Sequence, residues 1–181
     1  MTKQIALKTV NNTEESTGFD REDFEWILRE HQSMVFSIAF NYSRNRPVAE
    51  ELAQDVFLSL YERLTGIKSR EHLVFWLRKV TVQRCLDYGR RSKLRAHARL
   101  EDIPEPTAPT VESDVLLSKR IEDGVDGLPQ QSRMVVVLRF QEDMEPAEIA
   151  KLMDMPLNTV KSHLRRSLSR LRQELAGFYP D

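Results

Sequence analysis

The chain has 181 residues, 40% of them hydrophobic and 30% charged, with six glycines and a net charge of −1. This length suits one domain or two small ones. No apolar run approaches the roughly 20 residues of a membrane helix, and "MTKQIALKTVNNTEESTGFD" lacks a signal-peptide core, so a cytoplasmic protein without membrane insertion is expected. Cys85 stands alone, which excludes an internal disulfide and reads as a small packing residue of a helix.

Residues 1–19 are polar and aperiodic, and are read as a disordered segment. From Phe24 an apolar stripe runs through Ile27, Leu28, His31, Val35, Ile38 and Tyr42 at helical spacing. It stops at "SRNRP", where Pro47 suits the first turn of a new helix. That helix buries Val48, Leu52, Val56, Phe57, Leu60 and Leu64, and shows Glu50, Glu51, Asp55 and Glu62 outward. After the break "TGIKSRE", a third helix carries Leu73, Trp76, Leu77 and Val80, with fraying expected near Gly89 because glycine costs a helix about 1 kcal/mol.

The stretch "EDIPEPTAPTVESD", with three prolines and no apolar period, reads as a flexible linker. Beyond it, "VLLSKRIEDGV" and "LPQQSRMVVVLRFQ" are read as helices. The β-branched run in the second favours a sheet by propensity, but no partner strand lies nearby. The expected architecture is all-α: two small helical domains, at 20–98 and 115–178, joined by the linker at 99–114.

Charge is sorted along the chain. Residues 78–99 hold eight basic groups against Asp87, and residues 100–126 hold eight acids against Lys119 and Arg120. The stretch "LNTVKSHLRRSLSRLR" has five basic side chains and no acid. In "EPAEIAKLMDMPLNTVKSHLRRSLSRLR" a helix starting near Pro146 turns Ile149, Leu152 and Met153 inward, and "DMP" supplies a short turn. In the next helix Leu157, Val160, Leu164, Leu168 and Leu171 form one inner stripe. Thr159, Ser162, Arg166 and Ser169 point the other way, flanked by Lys161, His163 and Arg165. Two short helices so spaced, the second basic outside, match a DNA-binding helix-turn-helix. A solvated amphipathic helix is the plainer alternative, but such faces normally mix signs. His163 lacks a Cys or His at ligand spacing, so no metal or other cofactor is expected.

The carboxy-terminal segment from "LPQQSRMVVVLRFQ" to "SLSRLR" resembles the fourth region of bacterial sigma factors; "AEELAQDVFLSLYERL" and "FWLRKVTVQRCLDYGRR" are similar to their second region. With only these two regions, the chain resembles the extracytoplasmic-function (ECF) group of RNA polymerase sigma factors. The resemblance implies a non-enzymatic subunit that binds core RNA polymerase, directs it to promoter DNA and helps to melt the start of the bubble. It implies that Glu50, Glu51, Gln54 and Asp55 dock on the clamp helices of the largest polymerase subunit. It implies that the fourth region meets the flap of the second-largest subunit, and that an anti-sigma factor is a partner. Minus-ten contacts would come from Lys68, Ser69, Arg70, Lys79, Gln83, Arg84, Asp87, Arg90 and Arg91; Trp76 and Tyr88 are read as packing residues. Minus-thirty-five contacts would come from Thr159, Lys161, Ser162, His163, Arg165 and Arg166.

Some positions depart from the family pattern. Glu51 and Asp55 exchange the usual Asp and Glu, and Gln83 replaces the usual Asn. Asp143 stands where Gly is usual, and Glu145 replaces a Ser or Thr cap. In relatives the acidic linker threads channels later occupied by nucleic acid; a plain soluble tether explains it equally well. With the ending "LAGFYPD", control of the chain is expected to come from another protein. A free-standing helix-turn-helix repressor or activator is the competing reading, but it leaves "AEELAQDVF" unexplained. A nucleic-acid enzyme would need clustered carboxylates, a nucleophile–base pair or a phosphate-cradling loop, and none is legible.

Overall fold

The computed structural model describes residues 19–98 and 113–176, all helix and connection with no strand among them. The helices are α1 (Phe24–Ser43), α2 (Arg46–Arg63), α3 (Arg70–Ala98), α4 (Ser113–Asp126), α5 (Gln130–Phe140), α6 (Pro146–Leu152) and α7 (Leu157–Leu175), with a 3₁₀ turn at Leu64–Gly66. The segments expected to be a disordered N-terminus and a linker fall mostly outside the described residues. Phe19 is described: its N–H donates to the Ile67 carbonyl at 3.4 Å and its ring packs on the first core. Ser113 and Asp114, assigned to the linker by sequence, open α4.

The first module is α1, α2 and α3. Helix α1 ends on Arg44, whose φ of 52° is left-handed and whose N–H returns to the Phe40 carbonyl at 2.8 Å. One residue later the Asn45 side chain accepts from the Val48 N–H at 3.2 Å and caps α2. This sharp αL-then-cap corner folds α2 back along α1. The spacing in both helices then does its work: Ile27, Val35, Val56, Phe57, Leu60, Leu64, Ile67, Leu73 and Leu77 form one buried cluster. Each large side chain so buried contributes about 1.5–3 kcal/mol.

Gly89 does not fray α3, which continues to Ala98. The helix is held on both sides: Val82 and Cys85 are buried in a second core whose other members come from α1, α2, α5, α6 and α7. Tertiary packing outweighs the glycine's propensity cost. Gly89 also answers a steric need, because a Cβ there would collide with Tyr42 Oη and lie 2.9 Å from Gln130 Nε2.

The "MVVVL" segment is helical, as expected, and Met134 through Leu138 are all buried. A helix apolar on every side must be enclosed on every side. One face of α5 packs with Ile38, Ala39, Tyr42, Val82 and Cys85 of the first module, another with Ile149, Leu152 and Val160, and Val136 with Val125 and Leu128. The two modules therefore share a continuous core around α5.

Candidate nucleic-acid and partner interfaces

Helices α6 and α7 are joined by a tight turn in which Asp154 takes φ 51° and the Met155 N–H donates to the Ala150 carbonyl at 3.0 Å. Aspartate is among the few non-glycine residues that adopt this conformation readily. The same property explains Asp143, where glycine was expected: its φ is 49°, left-handed, and it pairs with Arg139 at 3.4 Å. Glu145 is helped as a cap by Glu148, whose carboxylate accepts from the Glu145 N–H at 2.8 Å, with Pro146 opening the helix.

On α7 the inner stripe is Val160, fully buried, with Leu164, Leu168 and Leu171 half-buried; Leu157, expected inside, is 39% exposed at the first turn. Ser167 joins the inner face. Lys161, Arg165, Arg166 and Ser169 are exposed, and Thr159 and Ser162 lie at the edge of that face. Arg166 Nε donates to the Ser162 carbonyl at 3.2 Å, which lays the guanidinium along the helix. His163 is placed differently from its neighbours. Its Nδ1 lies 2.8 Å from Ser132 Oγ on α5, and desolvation, then the Arg166 charge, hold its pKa below the ordinary value of 6.5. The ring ties α7 to α5 in the neutral form, and leaves the outward basic face to Lys161, Arg165 and Arg166.

Helix α3 gathers the other basic set. Ser69 Oγ accepts from the His72 N–H at 3.1 Å and starts the helix, so Ser69 is engaged locally. Lys68 and Arg70 are exposed beside it, with the Arg70 guanidinium 5.1 Å above the Trp26 ring. Gln83, Arg90 and Arg91 are exposed further along. Arg84 donates to Ser59 Oγ at 3.1 Å, Asp87 pairs with Arg90 at 2.6 Å, and Lys79 is taken up by Asp154 at 2.9 Å. Trp76 and Tyr88 are half-buried against the two cores, as packing residues should be. Cys85 is fully buried and burial pushes its thiol up to about 12, so it is a packing residue with no thiolate at neutral pH.

Glu50, Glu51, Gln54 and Asp55 all project from the outer face of α2. Glu50 pairs with Arg46 at 2.9 Å. Beside them lies a feature the sequence did not single out, an open groove of about 660 Å³ between α1 and α2. It is lined by Phe24, Leu28, Phe36, Phe57 and Leu58 with Glu50 and Gln54 at its edge. Leu58 is 65% exposed. Its position off the inner stripe, among acids, was the available signal.

An all-helical chain whose helix-turn-helix presents an outward basic face, and whose other module offers a second basic helix and an apolar groove flanked by Arg46 and Glu50, is of the DNA-directed helix-turn-helix class. The comparisons narrow this. Residues 27–95 match the Sigma-70 region 2 family and residues 118–171 match the Sigma-70, region 4 family. The RNA polymerase sigma-E factor of Streptomyces avermitilis is 30% identical over 158 residues, covering 84% of this chain and 85% of that protein. The RNA polymerase sigma factor SigV of Bacillus subtilis is 25% identical over 149 residues, covering 82% and 88%. The ECF RNA polymerase sigma factor SigE of Mycolicibacterium smegmatis is 29% identical over 161 residues, which is 83% of this chain but 60% of that protein's length. Among solved structures, the sigma factor RpoE in complex with the anti-sigma factor NepR from Bartonella quintana superposes with a TM-score of 0.66 at 18% identity, covering 86% of this chain and 98% of that one. CnrH in complex with the cytosolic domain of CnrY gives 0.62 at 16% identity, covering 87% and 90%. These two share the fold. The chain belongs to the sigma-70 family of RNA polymerase sigma factors, in its ECF group.

Proposed function

We propose that this chain is a sigma subunit: it binds core RNA polymerase and directs it to a subset of promoters. It makes and breaks no covalent bond itself. The observation that carries the reading is the pairing, in one chain, of an outward basic face on α7 with an apolar groove on the other module, flanked by Arg46, Glu50 and Gln54. The first suits phosphate and base edges; the second suits another protein's amphipathic helix. A free-standing repressor needs only the first.

In this reading Lys161, Arg165 and Arg166, with Thr159 and Ser162 beside them, enter the major groove at the minus-thirty-five element. His163 supports them from behind. Lys68, Arg70, Gln83, Arg90 and Arg91 meet the minus-ten strand, with Lys79 and Arg84 joining once released from Asp154 and Ser59. Asp87 orients Arg90, and Ser69 shapes the loop before α3. Glu50, Glu51, Gln54 and Asp55, together with the floor of the α1–α2 groove, take the clamp helices of the largest polymerase subunit. The second module meets the flap of the second-largest subunit. The domain division is 20–98 for the polymerase and minus-ten module and 113–178 for the minus-thirty-five module, with 99–112 as the tether. Because the solved RpoE is held by the anti-sigma factor NepR, an anti-sigma factor is the expected regulator here too. No helix among the described residues is long and apolar enough to cross a membrane, and a cytoplasmic site of action is proposed.

The test is run-off transcription with purified chain and core enzyme on genomic templates, paired with gel shifts with and without core. New start sites that require both components support the proposal. Tight, specific binding to an operator by the chain alone, with no polymerase-dependent initiation, overturns it in favour of a repressor or activator.

A further inference from the structure

Where the two modules meet, acids of the second fall on bases of the first. Asp154, at the left-handed corner of the α6–α7 turn, approaches Lys79 Nζ on α3 to 2.9 Å. Glu122 on α4 approaches Arg44 at the end of α1 to 3.7 Å. Burial raises the pKa of Glu142, in the loop after α5, against the opposing influence of Arg78 on α3 and a hydrogen bond with Ser37 on α1. Between α3 and α6 a cleft of about 490 Å³ is walled by Arg70, Phe75 and Arg78 on one side and by Glu148, Lys151 and Leu152 on the other. Beneath the ionic contacts lies the apolar core that both modules share, with Tyr42, Val82 and Cys85 against Met134 and Leu138.

An ammonium paired at 2.9 Å with a carboxylate is not free to meet a phosphate. Lys79 stands on the helix that carries the proposed minus-ten residues, and it faces the carboxylate of Asp154 from the helix-turn-helix. Asp154 thus holds a cation that a phosphate would otherwise meet. Such ion pairs are also the part of the contact most sensitive to competing anions, since partly exposed pairs are screened by salt while apolar burial is not.

We propose that the junction of the two modules is an electrostatic latch, in which Asp154 acts as the internal counter-ion for Lys79, with Glu122 and Arg44 as a second contact, and is displaced by a polyanion. The closed chain keeps Lys79 paired; nucleic acid that competes for Lys79 favours separation of the modules. The polyanion half of the proposal rests on the reading that α3 meets DNA, whereas the latch itself does not.

Cys85 provides the readout. It is the chain's single cysteine and is fully buried in the shared core, so its labelling rate by a disulfide reagent such as DTNB reports how often the modules part. The full-length chain is compared with Asp154→Asn, which keeps a residue tolerant of the left-handed conformation, and with Lys79→Met, a change on a regular helix. Each variant is expected to label about two- to five-fold faster at low salt, the range a partly exposed ion pair supports. The double variant is expected to label no faster than either single one. In the unaltered chain, heparin or a short DNA duplex raises the rate by a similar factor, and much less in the variants. Circular dichroism of each variant separates latch opening from unfolding. Unchanged labelling in both single variants overturns the latch, whatever run-off transcription shows. Faster labelling in the variants with no effect of heparin or DNA on the unaltered chain overturns displacement by polyanions. Because this assay contains no polymerase and no promoter, its failure and failure of the sigma assignment are distinguishable.

Discussion

Replacing Gly89 by alanine sets two magnitudes against each other. Gly89 lies inside α3, between Arg70 and Ala98, where alanine is favoured by about 1 kcal/mol on helix propensity alone. The added methyl would overlap Tyr42 Oη and come within 2.9 Å of Gln130 Nε2 and 3.0 Å of Gln130 Cδ. Gln130 is partly exposed and flexible and can swing away. Tyr42 cannot, because its ring is 2% exposed, packed in the shared core, and covered by the Arg133 guanidinium at 5.7 Å. Forcing a methylene-sized group into such a place costs about 1–3 kcal/mol. The packing cost therefore equals or exceeds the propensity gain, and Gly89→Ala is expected to lower stability by about 0–2 kcal/mol. For a chain of this size, each 1 kcal/mol lost corresponds to a fall of about 2–4 °C in the melting midpoint. Urea unfolding followed by circular dichroism measures it. A variant stabilised by the full propensity increment, with unchanged denaturant slope, would show that α3 does not approach Tyr42 this closely in solution.

The remaining predictions concern the surfaces. Arg166→Ala should cost about 1–3 kcal/mol of minus-thirty-five-dependent initiation if the guanidinium reads a base, and an equal loss on promoters with a scrambled upstream element would mean that it contacts phosphate alone. Glu51→Arg should weaken competition for core polymerase while leaving folding intact, since Glu51 is exposed and makes no intramolecular ion pair among those described; unchanged competition refutes the assignment. His163 titrates below its ordinary value of 6.5 in the folded chain, so the unfolded chain binds its proton first as pH falls. The stability His163 supports is present above pH 6.5 and is lost as pH drops through that value towards the folded pKa. His163→Gln should accordingly flatten the decline in stability below pH 7, with a residual slope left by His31, whose pKa is lowered in the same direction by burial. An identical pH profile in the variant would rule out the Ser132–His163 contact as its source.

Much of this molecule follows from local pattern. The three- and four-residue spacing of Ile27, Val35, Ile38 and Tyr42, or of Leu52, Val56 and Leu60, is a property of single helices, so it is legible without knowing what each helix packs against. The acid-free run on α7 is likewise local, because exposure of Lys161, Arg165 and Arg166 follows once Val160 is placed inside. The cap at Asn45 and the left-handed conformation of Asp143 are not legible in the helical spacing, because each depends on the backbone angles of a single residue between helices.

Other features depend on which surfaces meet in three dimensions. The sequence alone determined an all-helical chain, its helix-turn-helix and its sorted charge, because periodicity and charge order are written residue by residue. Only the tertiary structure decided that α5 joins both modules in one core, that Gly89 is needed for close approach, that His163 turns inward to Ser132, and that Asp154 finds Lys79 across 75 positions of chain. It also decided the α1–α2 groove, which exists only where two helices diverge enough to leave Leu58 and Phe36 partly uncovered. The physical reason is that burial and ion pairing are properties of pairs of surfaces, and a pattern within one helix specifies which face is apolar or charged but not which face it meets.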